Sequence, residues 1–458
     1  MNPATPGPTF RDPAGSLRFE DDLVVRSIHT DARASVLEFV TSAFYERLVQ
    51  HGDVVSSTID ETASGLRLLH PKISVPTYPW EWTPSQWVAA GDLTLRLCEE
   101  ALDEGWILKD ATPLNILFVG PRPVLVDVIS FERRDPNSSI WLAYGQYMRT
   151  FLLPLLINQL LSWPLELSLF KRDGYEPADL YQALSPLQRF SRKAFWPITL
   201  PAWLEKRKDP NTAAKSAAPA KDPGLVLHLL KKTLRDLRRR TQRALPASAA
   251  SHWSEYKDTL THYTAAESAA KRQWVQGVFD ELHPAHVLDI GANTGEFSTL
   301  AANAGSQVVA IERDAASAER IFSMSRETRL DIQTIHADFA RPTPAVGWLN
   351  SENTALLARL EDQFDLVVML AVVHHLLLME QIPLPAIMAL VHRLTRRHLL
   401  IEWVPVADPM FQSLMRGRED LYGSLTPEDL LNACNGRFTL LRHHMLDNGR
   451  ALYLFEKI

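Results

Sequence analysis

The sequence is poor in cysteine: its 458 residues include only two, Cys98 and Cys434. Two cysteines far apart in the chain build neither a disulfide framework nor a cysteine-rich metal site. No other ligand set with metal-binding spacing is evident, so we predict no metal site. The same cysteine usage is typical of a reducing compartment, and we expect a cytoplasmic protein.

Long hydrophobic runs and targeting segments are also scarce. The most apolar stretch, residues 151–170, contains two prolines, an asparagine, a glutamine and a glutamate. All of these are unfavourable in hydrocarbon, so the stretch predicts a buried helix and no membrane span. The first six residues, MNPATP, lack the basic and apolar regions of a secretory signal.

Basic excess is absent from the chain as a whole. There are 48 Lys and Arg residues against 54 Asp and Glu residues, and the formal net charge is −6. A nucleic-acid-binding protein usually shows the opposite balance. The sequence therefore gives no general indication of a nucleic-acid partner.

One segment, residues 225–245, departs from this balance. Leucines at helical spacing predict a helix with one apolar stripe: Leu227, Leu230, Leu234 and Leu237. Only Asp236 opposes the basic residues on its other faces, which are Lys231, Lys232, Arg235, Arg238, Arg239, Arg240 and Arg243. The segment is either a patch for phosphate, RNA or an anionic lipid surface, or a connector helix docked by its leucines. We favour the connector helix.

Hydrophobic residues, by contrast, are plentiful at 46%, and the chain is too long for one core. A polar stretch rich in alanine and proline, residues 205–224, predicts a linker. We therefore expect a mostly helical α+β domain over 14–204, the linker and basic helix over 205–249, and a second domain over 250–458.

The second domain alternates apolar strands with longer helical stretches. Seven strands are predicted, at 286–290, 307–311, 331–336, 364–370, 398–403, 438–443 and 450–455. This order predicts an α/β fold, a doubly wound Rossmann-like sheet whose last two strands form an antiparallel pair.

A glycine turn follows the first of these strands, in the sequence VLDIGANTGEF at 287–297. Gly291 allows a sharp turn and close approach of a ligand to the backbone. Glu312 ends the second strand, where an acid accepts hydrogen bonds from ribose hydroxyls. Asp338 and Phe339 follow the third strand, suited to the amino group and ring face of an adenine. The set predicts a nucleoside-containing cofactor.

These motifs resemble the class I S-adenosylmethionine-dependent methyltransferase family over nearly the whole second domain. The resemblance implies that the Gly291–Gly295 loop lies beside the methionine portion of S-adenosyl-L-methionine, with Glu312 at the ribose and Asp338 at the adenine. The candidate cofactor-binding residues are Asp289, Gly291, Ala292, Asn293, Gly295, Phe297, Glu312, Asp338, Phe339 and Ala371. A nicotinamide dehydrogenase is disfavoured, because the middle glycine of G-x-G-x-x-G is absent.

Two histidines, His374 and His375, follow the fourth apolar strand. In the family this strand end faces the methyl group and the acceptor, and a histidine there is suited to remove a proton. Because neighbours on a strand point to opposite faces, we expect at most one of the two to face the pocket. The chain lacks the Asn/Asp-Pro-Pro-Tyr motif of adenine and glutamine methylases at this point.

The first domain carries a second pattern, with Asp110, Asn115 and Asp127 around a short apolar strand. It resembles the catalytic loop of protein-kinase-like and aminoglycoside-phosphotransferase-like folds, in which such residues orient a hydroxyl and hold magnesium on ATP. No glycine-rich loop precedes the pattern. The strand lysine of these folds is also missing, and Arg26 is the nearest candidate for its role. A chance pattern, a degenerate kinase-like binding domain and an active kinase all stay open.

The aromatic run at 78–82, YPWEW, is either a ligand platform or a buried aromatic cluster, and the cluster is the commoner use.

We predict a methyltransferase acting on a small-molecule, glycan or other unidentified acceptor, by O- or N-methylation, with the first domain selecting substrate. The alternatives are a bifunctional kinase-like methyltransferase, an RNA methyltransferase, and an interaction protein that retains the cofactor fold. The sequence does not indicate an oligomeric state.

Overall fold

The computed structural model describes residues 12–62, 65–207, 222–246 and 264–458. The chain divides into two compact units. The first comprises residues up to Phe118, Pro123–Ala247 and Val346–Asn353. The second comprises Val119–Arg122, Ser248–Ala345 and Thr354–Ile458.

The first unit opens with a four-stranded antiparallel sheet in the order β1-β2-β4-β3. Two further pairs of short strands follow, β5 with β8 and β6 with β7. The strands are β1 Gly15–Glu20, β2 Leu23–Ile28, β3 Thr58–Thr62, β4 Gly65–Pro71, β5 Trp106–Leu108, β6 Ile116–Val119, β7 Arg122–Leu125 and β8 Phe131–Arg133.

Helices make up most of the rest of this unit. They are α1 Arg33–Val40, α2 Ala43–Gln50, α3 Pro84–Asp103, α4 Tyr144–Tyr147, α5 Leu153–Leu161, α6 Pro177–Ala183, α7 Pro186–Arg189, α8 Leu200–Lys206 and α9 Pro223–Arg243. The longest two are α3 and α9. Helix α3 begins at a capping box in which Thr83 accepts from the backbone of Gln86 and the Gln86 side chain accepts from Thr83.

Helix α9 is the predicted basic helix, and it packs against α3 through buried side chains that include Leu230, Leu234 and Leu237. The expectation that only Asp236 opposes its basic residues was wrong. Acids of α3 pair with three of them: Lys231 with Asp103 at 2.5 Å, Arg235 with Glu99 at 2.6 Å, and Arg238 with Asp92 at 2.5 Å. The structure therefore agrees with the connector helix that is docked by its leucines.

The apolar stretch at 151–170 does not form one buried helix as predicted. A π-helical segment, Met148–Leu152, leads into α5, and a separate 3₁₀ segment covers Leu165–Leu169. The break follows from Ser162, which ends α5 in the left-handed conformation (φ +56°), and from Pro164 just after it. Within the described ranges, no helix is long and apolar enough to span a bilayer.

The second unit is built on a seven-stranded sheet in the order β11-β10-β9-β12-β13-β15-β14. Strands β9 to β13 are parallel, and β15 and β14 add antiparallel at one end. The strands are β9 His286–Ile290, β10 Gln307–Glu312, β11 Ile332–His336, β12 Phe364–Met369, β13 Thr395–Trp403, β14 Phe438–Met445 and β15 Ala451–Lys457. The predicted doubly wound α/β sheet with an antiparallel last pair is confirmed.

Helices connect these strands. They are α10 Ala265–Leu282, α11 Glu296–Asn303, α12 Ala315–Thr328, α13 Leu356–Leu360, α14 Val373–Leu378, α15 Leu384–Leu394, α16 Pro409–Met415, α17 Glu419–Tyr422 and α18 Pro427–Cys434. The core joins strand residues such as Val287, Val308 and Leu366 to helix residues such as Phe279 and Ile321, all at most 2% exposed. Because the central strands are covered on both faces, they read as continuous apolar runs.

Candidate active site

The glycine turn lies at the carboxyl end of β9. Gly291 has φ +71°, and a Cβ added there would stand 2.5 Å from a methyl carbon of Val372. Gly295 has φ +81° and would bring a Cβ within 3.1 Å of Ile321. Both positions therefore require glycine, because other residues adopt this backbone region at a cost and the space is filled.

Glu312, at the end of β10, joins this turn directly. Its carboxylate accepts a hydrogen bond from the backbone N–H of Asn293 at 2.7 Å and another from that of Asp314 at 2.7 Å. Burial raises the pKa of the Glu312 carboxyl. The two strand ends that were predicted to meet a nucleoside are thus linked by one carboxylate.

Asp289 has a different environment from the other candidate residues. Its carboxylate is 4% exposed and accepts a hydrogen bond from the Ser298 hydroxyl at 2.6 Å, which ties β9 to α11. Burial raises its pKa to about 6. Phe297, on the same helix, lies under the Lys271 ammonium, whose nitrogen is 5.0 Å from the ring centroid.

Asp338 follows β11 in a group of surface charges. Its carboxylate lies 3.1 Å from Arg341 and 3.8 Å from Arg313, and both arginines also pair with Glu380. Phe339 is half-buried beside it. Because the arginines already neutralise Asp338, an adenine amino group would have to share this carboxylate with them.

The histidines lie on a helix and not on the fourth strand. Strand β12 ends at Met369, Ala371 takes φ +56°, and His374 and His375 fall in the first turn of α14. The expectation that strand alternation separates the two rings was therefore wrong. Their ring centroids are 4.2 Å apart.

His374 is the more deeply placed of the two, at 4% exposure. Its Nδ1 has no hydrogen-bond partner among the residues that the structure describes. Burial, with the nearby positive charges, holds the pKa of His374 well below 6.5, and the pKa of His375 is lowered to about 4 mainly by burial. Both rings are therefore neutral at physiological pH.

A buried group of charges stands at the ends of β13 and β15, and the sequence pattern gave no sign of two of its members. Glu402, which is fully buried, lies 2.6 Å from Lys271 of α10 and 3.4 Å from Arg450. Arg450 also pairs with Asp408 at 2.9 Å. Lys271 lies within α10 and Asp408 caps the start of α16, and only the fold brings the two residues to this edge.

Three buried polar atoms at this carboxyl edge lack hydrogen-bond partners within the described part of the chain: Asn293 Oδ1, His374 Nδ1 and Trp403 Nε1. Leaving a buried polar atom unsatisfied is costly, and such atoms usually find a partner in a ligand or water. Asn293 and His374 follow β9 and β12, and Trp403 is the last residue of β13, the next strand in the sheet. The carboxyl ends of three neighbouring strands therefore carry unpartnered polar atoms.

The trio of the first unit is partly brought together. Asn115 Nδ2 lies 3.4 Å from Asp127 Oδ2, and Asp127 pairs with Arg26 of β2 at 2.9 Å. The pKa of Asp110 is raised by burial and by the charge of Asp127. In the portions of chain described, no group of three or more His, Cys, Asp and Glu side chains is arranged to hold a metal ion.

The aromatic run at 78–82 belongs to the core of the first unit. Trp80 and Trp82 are 2% and 1% exposed, and the Trp82 ring packs on Trp87 and Phe118 at 5.9 and 5.1 Å. The buried-cluster interpretation is the one that the structure has.

Comparison with known families fits the second unit. Residues 230–404 match a family described as a methyltransferase domain, and this range includes all five parallel strands. Together with the sheet order and the glycine turn, the match shows that this part of the chain is a class I S-adenosylmethionine-dependent methyltransferase domain.

Individual relatives cover the chain to different extents. The nodulation protein NoeA of Rhizobium meliloti (strain 1021) is 28% identical over 472 residues, which are 98% of this chain and 95% of that protein. The N-methyltransferase NodS of Bradyrhizobium japonicum WM9, solved with S-adenosyl-L-homocysteine, is 14% identical over 44% of this chain and 96% of its own, with a TM-score of 0.33. The bifunctional kinase-methyltransferase WbdD is 18% identical over 46% of this chain and 42% of its own, with a TM-score of 0.31.

Proposed function

We propose that the second unit transfers a methyl group from S-adenosyl-L-methionine to an oxygen or nitrogen atom of its acceptor at the carboxyl edge of the sheet. The observation that carries the proposal is the set of unpartnered buried atoms at the ends of three neighbouring strands, Asn293 Oδ1, His374 Nδ1 and Trp403 Nε1. The cofactor's sulfonium supplies an activated methyl group. The protein therefore needs mainly to align the acceptor with it.

The residues present fit that cofactor. The backbone of Gly291–Gly295 makes the sharp turn that brings the loop to the carboxyl end of β9, since both glycines take a left-handed φ. Glu312 would accept from the ribose hydroxyls with the lone pairs that Asn293 and Asp314 leave free. Asp338 and Phe339 would contact the adenine, and Ala292 and Ala371 would line the cofactor site.

His374 is the residue that we assign to the acceptor. A neutral ring with a free Nδ1 would accept a hydrogen bond from an acceptor hydroxyl or amine and take its proton as the methyl bond forms. His375, whose Nδ1 lies 3.4 Å from the Met379 sulfur, would support the His374 ring through their tilted ring contact. The acceptor remains a small molecule, a glycan or another nucleophile.

The region over 14–204 would select this acceptor, with the transfer performed by 250–458. Support comes from the relative from Rhizobium meliloti, which aligns over 98% of this chain, so that both regions are shared. A role in nodulation, the word in that protein's name, is the biological setting that we propose for the reaction.

The first test is calorimetric titration of S-adenosylhomocysteine into the full chain. We expect binding by the wild type and a loss of about 1–3 kcal/mol in Glu312→Ala, because a buried acceptor of ribose hydrogen bonds is removed. Glu327→Gln, an exposed acid on α12, serves as the matched control and should bind like the wild type. A wild-type chain that ignores the ligand would refute the proposal.

The acceptor is sought by incubating the wild type with labelled cofactor and extracts, then identifying methylated products by mass spectrometry. His374→Asn should bind S-adenosylhomocysteine normally and form product more slowly, by about 10²-fold or more. Equal rates for the variant and the wild type would remove His374 from the reaction.

A nucleotide site in the first unit is the second candidate, and the contact between Asn115 and Asp127 favours it. ATP with magnesium is the ligand to titrate, into the wild type and Asp127→Asn. A heat of ATP–magnesium binding in the wild type but not in Asp127→Asn would establish the site. Absence of heat in both would leave the first unit as an acceptor-selecting domain.

A further inference from the structure

The short helices at the end of the first helical region leave large apolar side chains in solvent. Leu187 is 88% exposed, Phe190 62%, Trp196 58% and Leu204 54%. All four lie within residues 186–207, which we call the 186–207 surface. Single exposed hydrophobic residues are ordinary, but four large ones in 22 residues indicate a contact surface.

These side chains project from an ordered base. The Trp203 ring lies 5.9 Å from Phe190 and 6.1 Å from Phe195, and Phe195 contacts Trp196 at 5.8 Å. The Thr199 hydroxyl donates to the carbonyl of Arg189 at 2.7 Å, which ties the segment after α7 to the start of α8. Phe190 and Trp196 therefore flank one connected aromatic cluster whose base is fixed.

The charge on the same surface is predominantly positive. Residues 186–207 contain five basic residues, Arg189, Arg192, Lys193, Lys206 and Arg207, against the single acid Glu205. Four of the five basic residues are exposed, since Arg189 is half-buried over the Tyr181 ring at 4.3 Å. The chain as a whole carries net charge −6, so this local excess is set against an acidic background.

Charge and apolar exposure together identify the partner. Protein interfaces are depleted in lysine at their centres. Exposed Trp, Phe and Leu beside Lys and Arg are instead typical of segments that lie in the headgroup region of an anionic membrane, with cations at the lipid phosphates. We propose that the 186–207 surface docks the enzyme on an anionic lipid bilayer, a property separate from the methyl transfer proposed above.

The test is co-sedimentation of the full chain with vesicles of phosphatidylcholine alone or mixed with phosphatidylglycerol. We expect binding to the anionic vesicles only, weakened by added salt. Trp196→Ala should lower the partition coefficient by about fivefold or more, because a buried indole contributes strongly at the headgroup boundary. Trp348→Ala is the matched control, since Trp348 is 60% exposed elsewhere in the same unit and should have no effect.

Two double charge-reversal variants test the role of the basic residues. Arg192→Glu with Lys193→Glu should abolish binding, whereas Arg326→Glu with Arg329→Glu, two exposed arginines at the end of α12, should retain it. Every variant is checked for wild-type binding of S-adenosylhomocysteine, so that failure of docking is distinguished from failure of the catalytic unit.

Three outcomes would overturn the proposal. The first is that the wild type does not sediment with anionic vesicles, and the second is that Trp196→Ala and Trp348→Ala lower binding equally. The third is that analytical ultracentrifugation without lipid shows a wild-type dimer that Trp196→Ala converts to a monomer. That last result would assign the 186–207 surface to a second copy of the chain.

Discussion

The carboxylate of Glu312 accepts a hydrogen bond from the backbone N–H of Asn293 at 2.7 Å. Asn293 lies in the turn after β9 and Glu312 is the last residue of β10, so this bond fixes the distance between the glycine turn and the end of β10. Asn293 itself takes φ +51°, and its side-chain oxygen is left without a partner among the described residues. The hydrogen bond from outside the loop therefore fixes the conformation of the glycine turn.

Gly291→Ala should destabilise the fold and weaken cofactor binding. Its Cβ would meet Val372 at 2.5 Å, and its φ of +71° is unfavourable for alanine, so we expect a loss of at least about 1 kcal/mol in the free energy of unfolding. Gly277→Ala is the control: it lies in α10 with nothing within 4 Å of an added Cβ, and should stabilise by about 0.5–1 kcal/mol. Urea denaturation measures both, and opposite signs are required.

Lys271→Met should be strongly destabilising. It leaves the buried Glu402 carboxylate without its 2.6 Å partner, and breaking such a pair costs about 3 kcal/mol. Arg272→Met, one residue further along, removes an exposed partner of Glu296 and should cost less than about 1 kcal/mol. Adding Glu402→Gln to Lys271→Met should recover part of the loss, and equal losses for the two single variants would contradict the buried-pair account.

Asp289 predicts a loss of stability as pH rises. Its folded-state pKa of about 6 exceeds the ordinary value of 3.8, so the folded chain holds the proton more tightly than the unfolded chain. Relative to Asp289→Asn, which does not titrate, the wild type should lose on the order of 3 kcal/mol between pH 4 and 6 and little above that. Denaturation curves across this range give the difference, and Asp280→Asn, on the surface, should show no such trend.

His374 predicts the opposite dependence. Because its folded-state pKa lies well below 6.5, the unfolded chain takes up a proton first, and stability is lost as pH falls below 6.5. The free-energy difference between wild type and His374→Asn should therefore shrink from pH 7.5 to pH 5. His51→Asn, at an exposed site, is the comparison. A constant difference for His374→Asn would mean that the ring is not buried as described.

The sheet of the second unit was predictable from the sequence because each strand is a short apolar run with a clear end. All seven strands lie within a few residues of their predicted limits. The error at His374 and His375 has a local cause: the apolar run continues past Met369 into a helix, and an apolar run alone does not distinguish strand from buried helix.

Contacts between residues far apart in the chain could not be predicted from the sequence. The acids that pair with the basic helix lie more than 125 positions earlier, on α3, so no local pattern shows that its charge is balanced. In the same way, Lys271 reaches Glu402 only because α10 packs against the carboxyl end of the sheet. Roles that depend on such pairs become visible only in the fold.

The position of β15 sets the order in which the sheet of the second unit is assembled during synthesis. This strand, at Ala451–Lys457, lies between β13 and β14, so it leaves the ribosome after both of the strands that it pairs with. Arg450, the partner of both Glu402 and Asp408, emerges just before it. Until then the two carboxylates lack that counter-charge and the edge of β13 is unpaired, which makes the nascent chain a natural client for chaperones that shield exposed strands.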